Sequence, residues 1–150
     1  TGANTTSGTI TGNWTLTTGS RLTATYADLA EYYAADKAYI PGTVVEFGGE
    51  QEVTLAGEES NKIAGVVSAE PGYVLNGNIQ TQFPCMVALT GRVYVKVKGH
   101  VNKGDMMISA GDGYAKSAIT TPKIGTVLGK AIQNKSNDDD STVEIMIGKL

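Results

Sequence analysis

Asp28 and Glu31 are the pair of carboxylates whose spacing is most suggestive of chemistry. They stand three residues apart in the segment YADLAEYY at residues 26–33, and on a helix this spacing places two side chains on one face. Two carboxylates held close together can share or shuttle a proton, which is the work of a general acid and base. The alternative reading is that they form only the polar face of a helix, or contacts between chains.

Other residue types that carry catalysis or bind metals are scarce. His100 is the single histidine, and no acid is positioned beside it in sequence to support a Ser-His-Asp or Cys-His arrangement. Cys85 is the single cysteine, and its apolar flanks predict a small buried side chain rather than a reactive thiol. No Cys and His cluster has zinc spacing, and the acidic run at residues 137–140 lacks the glycine of the known calcium loop. We therefore predict neither a metal nor a cofactor.

Cationic and aromatic side chains alternate with valines between residues 92 and 98. The valines would occupy the buried face of a strand, and the other face would carry Arg92, Tyr94, Lys96 and Lys98. An aromatic and cationic face suits a sugar phosphate, so these four residues are our candidates for a surface that binds an anionic glycan or lipopolysaccharide. An ordinary half-buried strand accounts for the same alternation.

Charge is distributed unevenly, although the formal net charge is only −3. Residues 26–60 carry eight acidic side chains and one basic one, whereas residues 92–135 carry eight basic and two acidic ones. This asymmetry fits solvated strand faces of opposite sign, a contact between subunits, or a basic surface for an anionic glycan. We predict no nucleic-acid partner.

The elements that would position these residues begin with an unusual N-terminus. Residues 1–25 contain ten threonines and four glycines, with only four large apolar side chains, Ile10, Trp14, Leu16 and Leu22. Apolar residues recur at every second position, which favours a strand. Ordering about 25 backbones costs roughly 25–50 kcal/mol, while burying four large side chains returns only about 6–12 kcal/mol. We therefore expect a β-rich fibre stem in which sister chains intertwine and share these four side chains as a core.

The rest of the chain, residues 26–150, has the composition of one compact domain. A short helix over residues 26–36 is predicted from the spacing of Tyr26, Leu29, Ala30 and Tyr33. Strands are then predicted at residues 43–47, 52–55, 62–68, 73–75, 85–89, 91–98, 105–109, 113–117, 125–131 and 143–147. Asn76-Gly77 is a strong hairpin signal, and Asp112-Gly113 is a predicted turn between two strands. Short strands with glycine-rich turns predict an all-β sandwich or barrel-like domain.

Length and hydropathy narrow the class of protein further. The chain has 150 residues, of which 41% are hydrophobic, and no apolar run approaches the roughly 18 residues of a membrane-spanning helix. We therefore expect no membrane insertion. The chain starts at Thr1 rather than Met and has no secretory signal, so we expect a fragment or processed product with further sequence upstream.

Seven short segments in their order make a more specific pattern. They are ITGNWTL (10–16), YADLAEYY (26–33), YIPGTVV (39–45), IAGVVS (63–68), VALTGRV (87–93), KGD (103–105) and IGTVLGKA (124–131). Together they resemble the C-terminal domain of tailed-bacteriophage tail fibres and related structural proteins, notably of T-even-like phages. The resemblance implies a trimer at the distal end of a fibre, after an intertwined β-rich stem.

The segment around Asp28 and Glu31 also resembles the opening of phage intramolecular-chaperone domains, some of which cleave themselves near their N-terminal boundary. That resemblance implies that these two carboxylates would be the residues of such a reaction. Our prediction from the sequence is instead a non-enzymatic virion protein, the C-terminal domain of a homotrimeric tail fibre that also recognises the host. A self-cleaving chaperone domain is the first alternative, and a capsid or neck decoration fibre without a receptor role is the second.

Overall fold

The computed structural model describes residues 7–149 and shows an all-β protein, as the sequence predicts. Its ten strands are β1 (Asp28–Ala34), β2 (Val44–Phe47), β3 (Val53–Leu55), β4 (Ile63–Val67), β5 (Tyr73–Leu75), β6 (Pro84–Lys96), β7 (Met106–Gly111), β8 (Tyr114–Ser117), β9 (Val127–Ala131) and β10 (Thr142–Ile147). Eight of the ten predicted strands each match one observed strand within a few residues. The two predicted at 85–89 and 91–98 are one continuous strand, β6.

The strands form a single curled sheet. Their order is β3-β2-β4-β6-β10-β9-β7-β8, with β1 paired to β6 and β5 paired to β1. The two ends of the sheet approach each other, since the Val44 amide donates to the Gly113 carbonyl oxygen at 2.8 Å and a bridge joins Glu58 to Ala110. The sheet is therefore an open half-barrel.

The central strands have the most apolar sequences. Strand β4 is buried at all of its positions, as expected for a strand covered on both faces. Strand β6 alternates, so that Val93, Val95 and, just after its end, Val97 are buried while their neighbours are exposed or half-buried. Two groups of buried side chains result, the larger one built around Val95, Met107, Leu128 and Ile145 and the smaller around Val45, Val53, Val87 and Cys85.

The predicted helix over residues 26–36 is wrong. These residues form β1, whose seven residues pair antiparallel with β6, while three of them also pair parallel with β5. A helix of about ten residues is marginal on its own in water. Hydrogen bonds to two neighbouring strands, together with the burial of Ala30 at 0% exposure, therefore outweigh the local preference.

The described part of the predicted stem, residues 7–25, contains neither helix nor strand and is exposed throughout. Residues 1–6 of that stem lie outside the described residues. A turn interrupts it where the Ser20 amide donates to the Thr17 carbonyl oxygen at 3.0 Å. The structure holds one chain, so a stem shared between chains stays a prediction.

Two predicted turns have different outcomes. Asp112-Gly113 joins β7 to β8, with φ of 52° and 73°, which is the left-handed pair that a two-residue hairpin requires. Asn76 also has a left-handed φ of 57°, but the strands on either side of this turn do not pair. Strand β5 instead lies parallel to β1, so the hairpin predicted at Asn76-Gly77 is absent.

Candidate functional site

A cavity of about 500 Å³ opens where the stem (residues 7–25) joins the head (residues 26–149). Its wall includes the stem–head connection itself, Thr25 to Ala27, together with parts of β6, β10 and the segment after β4. The polar and aromatic side chains on it are Tyr26, Asp28, Glu70, Arg92, Tyr94 and Glu144. A molecule in this cavity would therefore lie directly against the peptide bonds that connect stem and head.

Asp28 opens β1 at the bottom of this junction. Only 7% of the residue is exposed, and its Oδ2 has no hydrogen-bond partner among residues 7–149. Its backbone is well fixed, because its carbonyl oxygen accepts from the Gly72 amide at 2.8 Å. A buried carboxylate oxygen without a donor is costly, so Asp28 is the most unusual polar group of the cavity.

Glu31 does not join Asp28. Successive side chains of a strand point to opposite faces, so the three-residue spacing that would unite them on a helix separates them on β1. The Glu31 Oε2 instead accepts a hydrogen bond from the Tyr33 hydroxyl at 2.7 Å. Burial, followed by this hydrogen bond, raises the pKa of the Tyr33 phenol to about 12. Glu31 therefore acts in the structure as the partner of a tyrosine.

The four candidate glycan residues are divided between two places. Arg92 and Tyr94 line the cavity, where the Arg92 guanidinium pairs with the Glu144 carboxylate at 3.3 Å. Lys96 and Lys98 lie over the ring of Tyr114, with ammonium-to-centroid distances of 4.7 Å and 4.9 Å. Burial lowers the pKa of Lys96. Glycan binding at either place stays a prediction.

The acidic and basic halves of the sequence meet within the chain at one point. The Lys116 ammonium on β8 lies 2.8 Å from Glu58 and 3.2 Å from Glu59. The hydrogen bond to Glu58 is the main cause that raises the pKa of Lys116, and the same bond lowers the pKa of Glu58. Part of the charge asymmetry is thus paired inside one subunit.

Sequence reasoning missed Lys135, whose side chain is only 4% exposed. Its ammonium donates to the carbonyl oxygens of Gly99 at 2.9 Å and Asn137 at 2.8 Å. The acidic run at 137–140 is therefore held by a lysine from its own chain. His100 lies at the same corner, with Nε2 3.0 Å from Asp138, and both side chains are exposed.

The remaining sequence expectations concern Cys85, metals and membranes. Cys85 is buried at 5% exposure, as predicted, and burial raises the pKa of its thiol to about 11. Over residues 7–149 no three His, Cys, Asp or Glu side chains come together as a metal site would need. In the same range no helix has the length and apolar character to span a membrane.

These features define a half-barrel head with an exposed N-terminal stem and a cavity at the junction. No protein-family model matches the chain, and no curated protein matches it significantly. Among solved structures it superposes on the pre-mature bacteriophage phi29 gene product 12 with a TM-score of 0.62 and 16% identity, over 87% of this chain and 23% of that one. It superposes on the C-terminal fragment of the same product with a TM-score of 0.57 and 18% identity, over 81% of this chain and 100% of the fragment.

A third structure, the head fibre gp8.5 N base in bacteriophage phi29, superposes with a TM-score of 0.49 and 16% identity, over 81% of this chain and 96% of that one, which is too low to support an argument. The first two superpositions show that the head has the fold of a phage gene product's C-terminal fragment. The chain spans less than a quarter of the full pre-mature product. The narrower resemblance to T-even-like phages and to chaperone domains stays a prediction.

Proposed function

We propose that the chain is a non-enzymatic structural protein of a bacteriophage virion, and that its head is the C-terminal domain of a homotrimeric tail fibre. One observation carries the proposal. The four large apolar side chains of the stem expose 57%, 65%, 48% and 55% of their surfaces in the single chain, for Ile10, Trp14, Leu16 and Leu22 respectively. Residues 7–149 of the same subunit leave them uncovered, so sister chains are their natural partners.

The fold supports this role, because the two structures that superpose with TM-scores above 0.5 are both of a phage gene product. A stem that cannot fold alone needs a folded neighbour to bring the chains together. The head is compact and has its own core, so it can fold first and align three stems for winding. The head is therefore the part of the chain that we expect to bring three stems together.

Host recognition is the second part of the proposal. Loops and cavities at the exposed end of a rigid scaffold are the usual places for binding residues. In this chain, Tyr94 is 54% exposed beside Arg92 at the junction cavity, and Lys96 and Lys98 lie at Tyr114. A host-surface glycan or lipopolysaccharide is the partner we propose for these side chains.

The trimer is tested by multi-angle light scattering of the purified chain across a dilution series. We expect three times the chain mass at micromolar concentration and dissociation on dilution. A monomeric mass throughout would refute the proposal. Cryo-electron microscopy of labelled virions then locates the protein, and a label at the capsid or neck rather than on the tail would favour a decoration fibre without a receptor role.

A self-cleaving chaperone domain is the alternative that one observation favours. The Asp28 carboxylate, whose buried Oδ2 has no hydrogen-bond partner among residues 7–149, lies next to the stem–head connection in a cavity that also contains Glu70 and Glu144. Cleavage there would release the head once the stem had assembled. Peptide hydrolysis also needs an activated water and a group that stabilises the oxyanion, and the arrangement of Asp28 and Glu31 supplies neither, so we expect no cleavage.

Intact mass spectrometry over several days tests this expectation. The parent chain is followed beside Asp28→Ala and Glu31→Ala, which remove the two candidate carboxylates separately. We expect one unchanged mass in all three samples. A cut near residues 20–28 that occurs in the parent and disappears in both variants would establish the self-cleaving alternative.

A further inference from the structure

Strand β5 carries an exposed apolar surface that the half-barrel does not use. Tyr73, Val74 and Leu75 expose 46%, 42% and 47% of their surfaces, so none of its residues belongs to the core. In a strand that packs on one side, alternate residues would be buried. This strand is therefore either a weakly packed edge strand or a surface that binds another chain.

The backbone of β5 is also paired on one side only. Its partner among the described strands is β1, in parallel register from Leu29–Tyr73 to Glu31–Leu75. A free strand edge is a template for pairing with another chain, and proteins usually protect such edges with lysine, proline or a bulge. Neither lysine nor proline occurs in β5.

The stem runs past the start of this strand. A side chain at Gly72 would meet the Tyr26 carbonyl oxygen at 2.5 Å and the Ala24 Cβ at 3.1 Å, so the last stem residues press against the residue before β5. Tyr26 itself is 52% exposed. The end of the stem therefore lies beside the start of β5, and both carry exposed apolar side chains.

Charged side chains are sparse where copies would meet. Residues 7–20 and 71–91 contain none, although Arg21 follows in the stem and Glu31 of β1 is in register with Leu75. Identical charges that face one another around a symmetry axis repel, so a largely uncharged strand suits self-association.

We propose that β5 is a subunit interface, where the strip of Tyr73, Val74 and Leu75 packs against a second copy of this chain. The contact continues the shared core of the stem into the head and fixes how the heads sit around the fibre axis. This inference rests on the proposed trimeric fibre, but it makes a separate claim about which surface of the head takes part.

The test compares two lysine substitutions in the full chain. Leu75→Lys places a charge in the proposed interface, and Ile119→Lys places one on a loop residue that is 97% exposed. Light scattering over a dilution series should show a dissociation constant raised about tenfold or more by Leu75→Lys, as for the central residue of an interface. The Ile119→Lys chain should dissociate like the parent, and thermal melts verify that both variants keep the head folded.

Hydrogen exchange gives a second measurement on the parent chain, which holds even if Leu75→Lys fails to fold. We expect those amides of residues 73–75 that β1 does not bond to exchange more slowly in the trimer than after dilution to monomer. A parent chain that is monomeric at every concentration overturns both the fibre proposal and this interface. A parent trimer overturns the interface alone if Leu75→Lys dissociates like Ile119→Lys, or if the β5 amides exchange equally fast in both states.

Discussion

Truncation of Trp14 is the most direct test of a shared stem. This side chain exposes 65% of its surface in the single chain. A tryptophan presents about 250 Å², so enclosure between chains would remove roughly 160 Å² from water. At roughly 25 cal/mol per Å², that burial stabilises the assembly by about 4 kcal/mol per chain. Trp14→Ala should therefore weaken assembly by roughly a thousandfold per chain.

Fluorescence makes the assay specific, since Trp14 is the only tryptophan of the chain. We expect its emission to shift to shorter wavelength as the concentration rises and the trimer forms. Light scattering should show that Trp14→Ala dissociates at a much higher concentration than the parent. The melting temperature of the head should not change, because no core residue of the head is altered.

The matched control is Ile119→Ala, on a loop between β8 and β9 where the side chain is 97% exposed. It should leave both assembly and melting unchanged. Emission at the wavelength of a solvated indole in a chain that is demonstrably trimeric would refute the reasoning. So would a Trp14→Ala chain that dissociates at the same concentration as the parent.

Two further predictions concern the head. Burial raises the pKa of the Cys85 thiol from 9.0 to about 11, so Cys85 should react with a thiol reagent at pH 8 only as fast as the protein unfolds, and rapid labelling of the folded protein would contradict this. Below pH 9 the thiol is neutral in both the folded and the unfolded state. Between pH 9 and about 11 only the unfolded chain ionises it, so the free energy of unfolding should fall by up to roughly 3 kcal/mol over that range. Gly113→Ala forces a side chain at φ 73° against Thr43 and Leu55, 2.6 Å and 2.8 Å away, and should lower the free energy of unfolding by about 2–4 kcal/mol. Gly99 has φ 78° but lies in open space, so Gly99→Ala should lower the free energy of unfolding only by the cost of the strained backbone, about 1 kcal/mol. Equal losses for the two variants in urea titrations would show that the clash with Thr43 and Leu55 contributes nothing.

The strands of the head were predictable because their signals are local. The alternating valines of β6 predict a strand with one buried face, and the continuous apolar run of β4 predicts a strand covered on both faces. Asp112-Gly113 predicts a hairpin because both residues can adopt the left-handed conformation. The buried state of Cys85 likewise followed from its apolar neighbours. Each of these depends on a few adjacent residues and a two-residue period.

Segment 28–34 was misread because two periods fit it equally well. Leu29, Ala30 and Tyr33 satisfy the helical spacing, and the choice of a strand came from β5 and β6, which lie about 40 to 60 residues away in sequence. The same error placed Asp28 and Glu31 on one face. Strand geometry separates them, so the catalytic reading of this pair loses its geometric basis.

The sequence by itself determined that the chain is built of strands, and that its Thr-rich N-terminus carries too little apolar surface to fold alone, because composition and periodicity are local properties. Only the tertiary structure decided that β1 joins the sheet, that the Asp28 Oδ2 is buried without a hydrogen-bond partner among residues 7–149, and that Arg92 and Tyr94 are separated from Lys96 and Lys98. It also decided that β5 stands at a free edge rather than in a hairpin. These outcomes depend on pairings between distant segments, whose energies come from shared hydrogen bonds and joint burial that no single segment encodes.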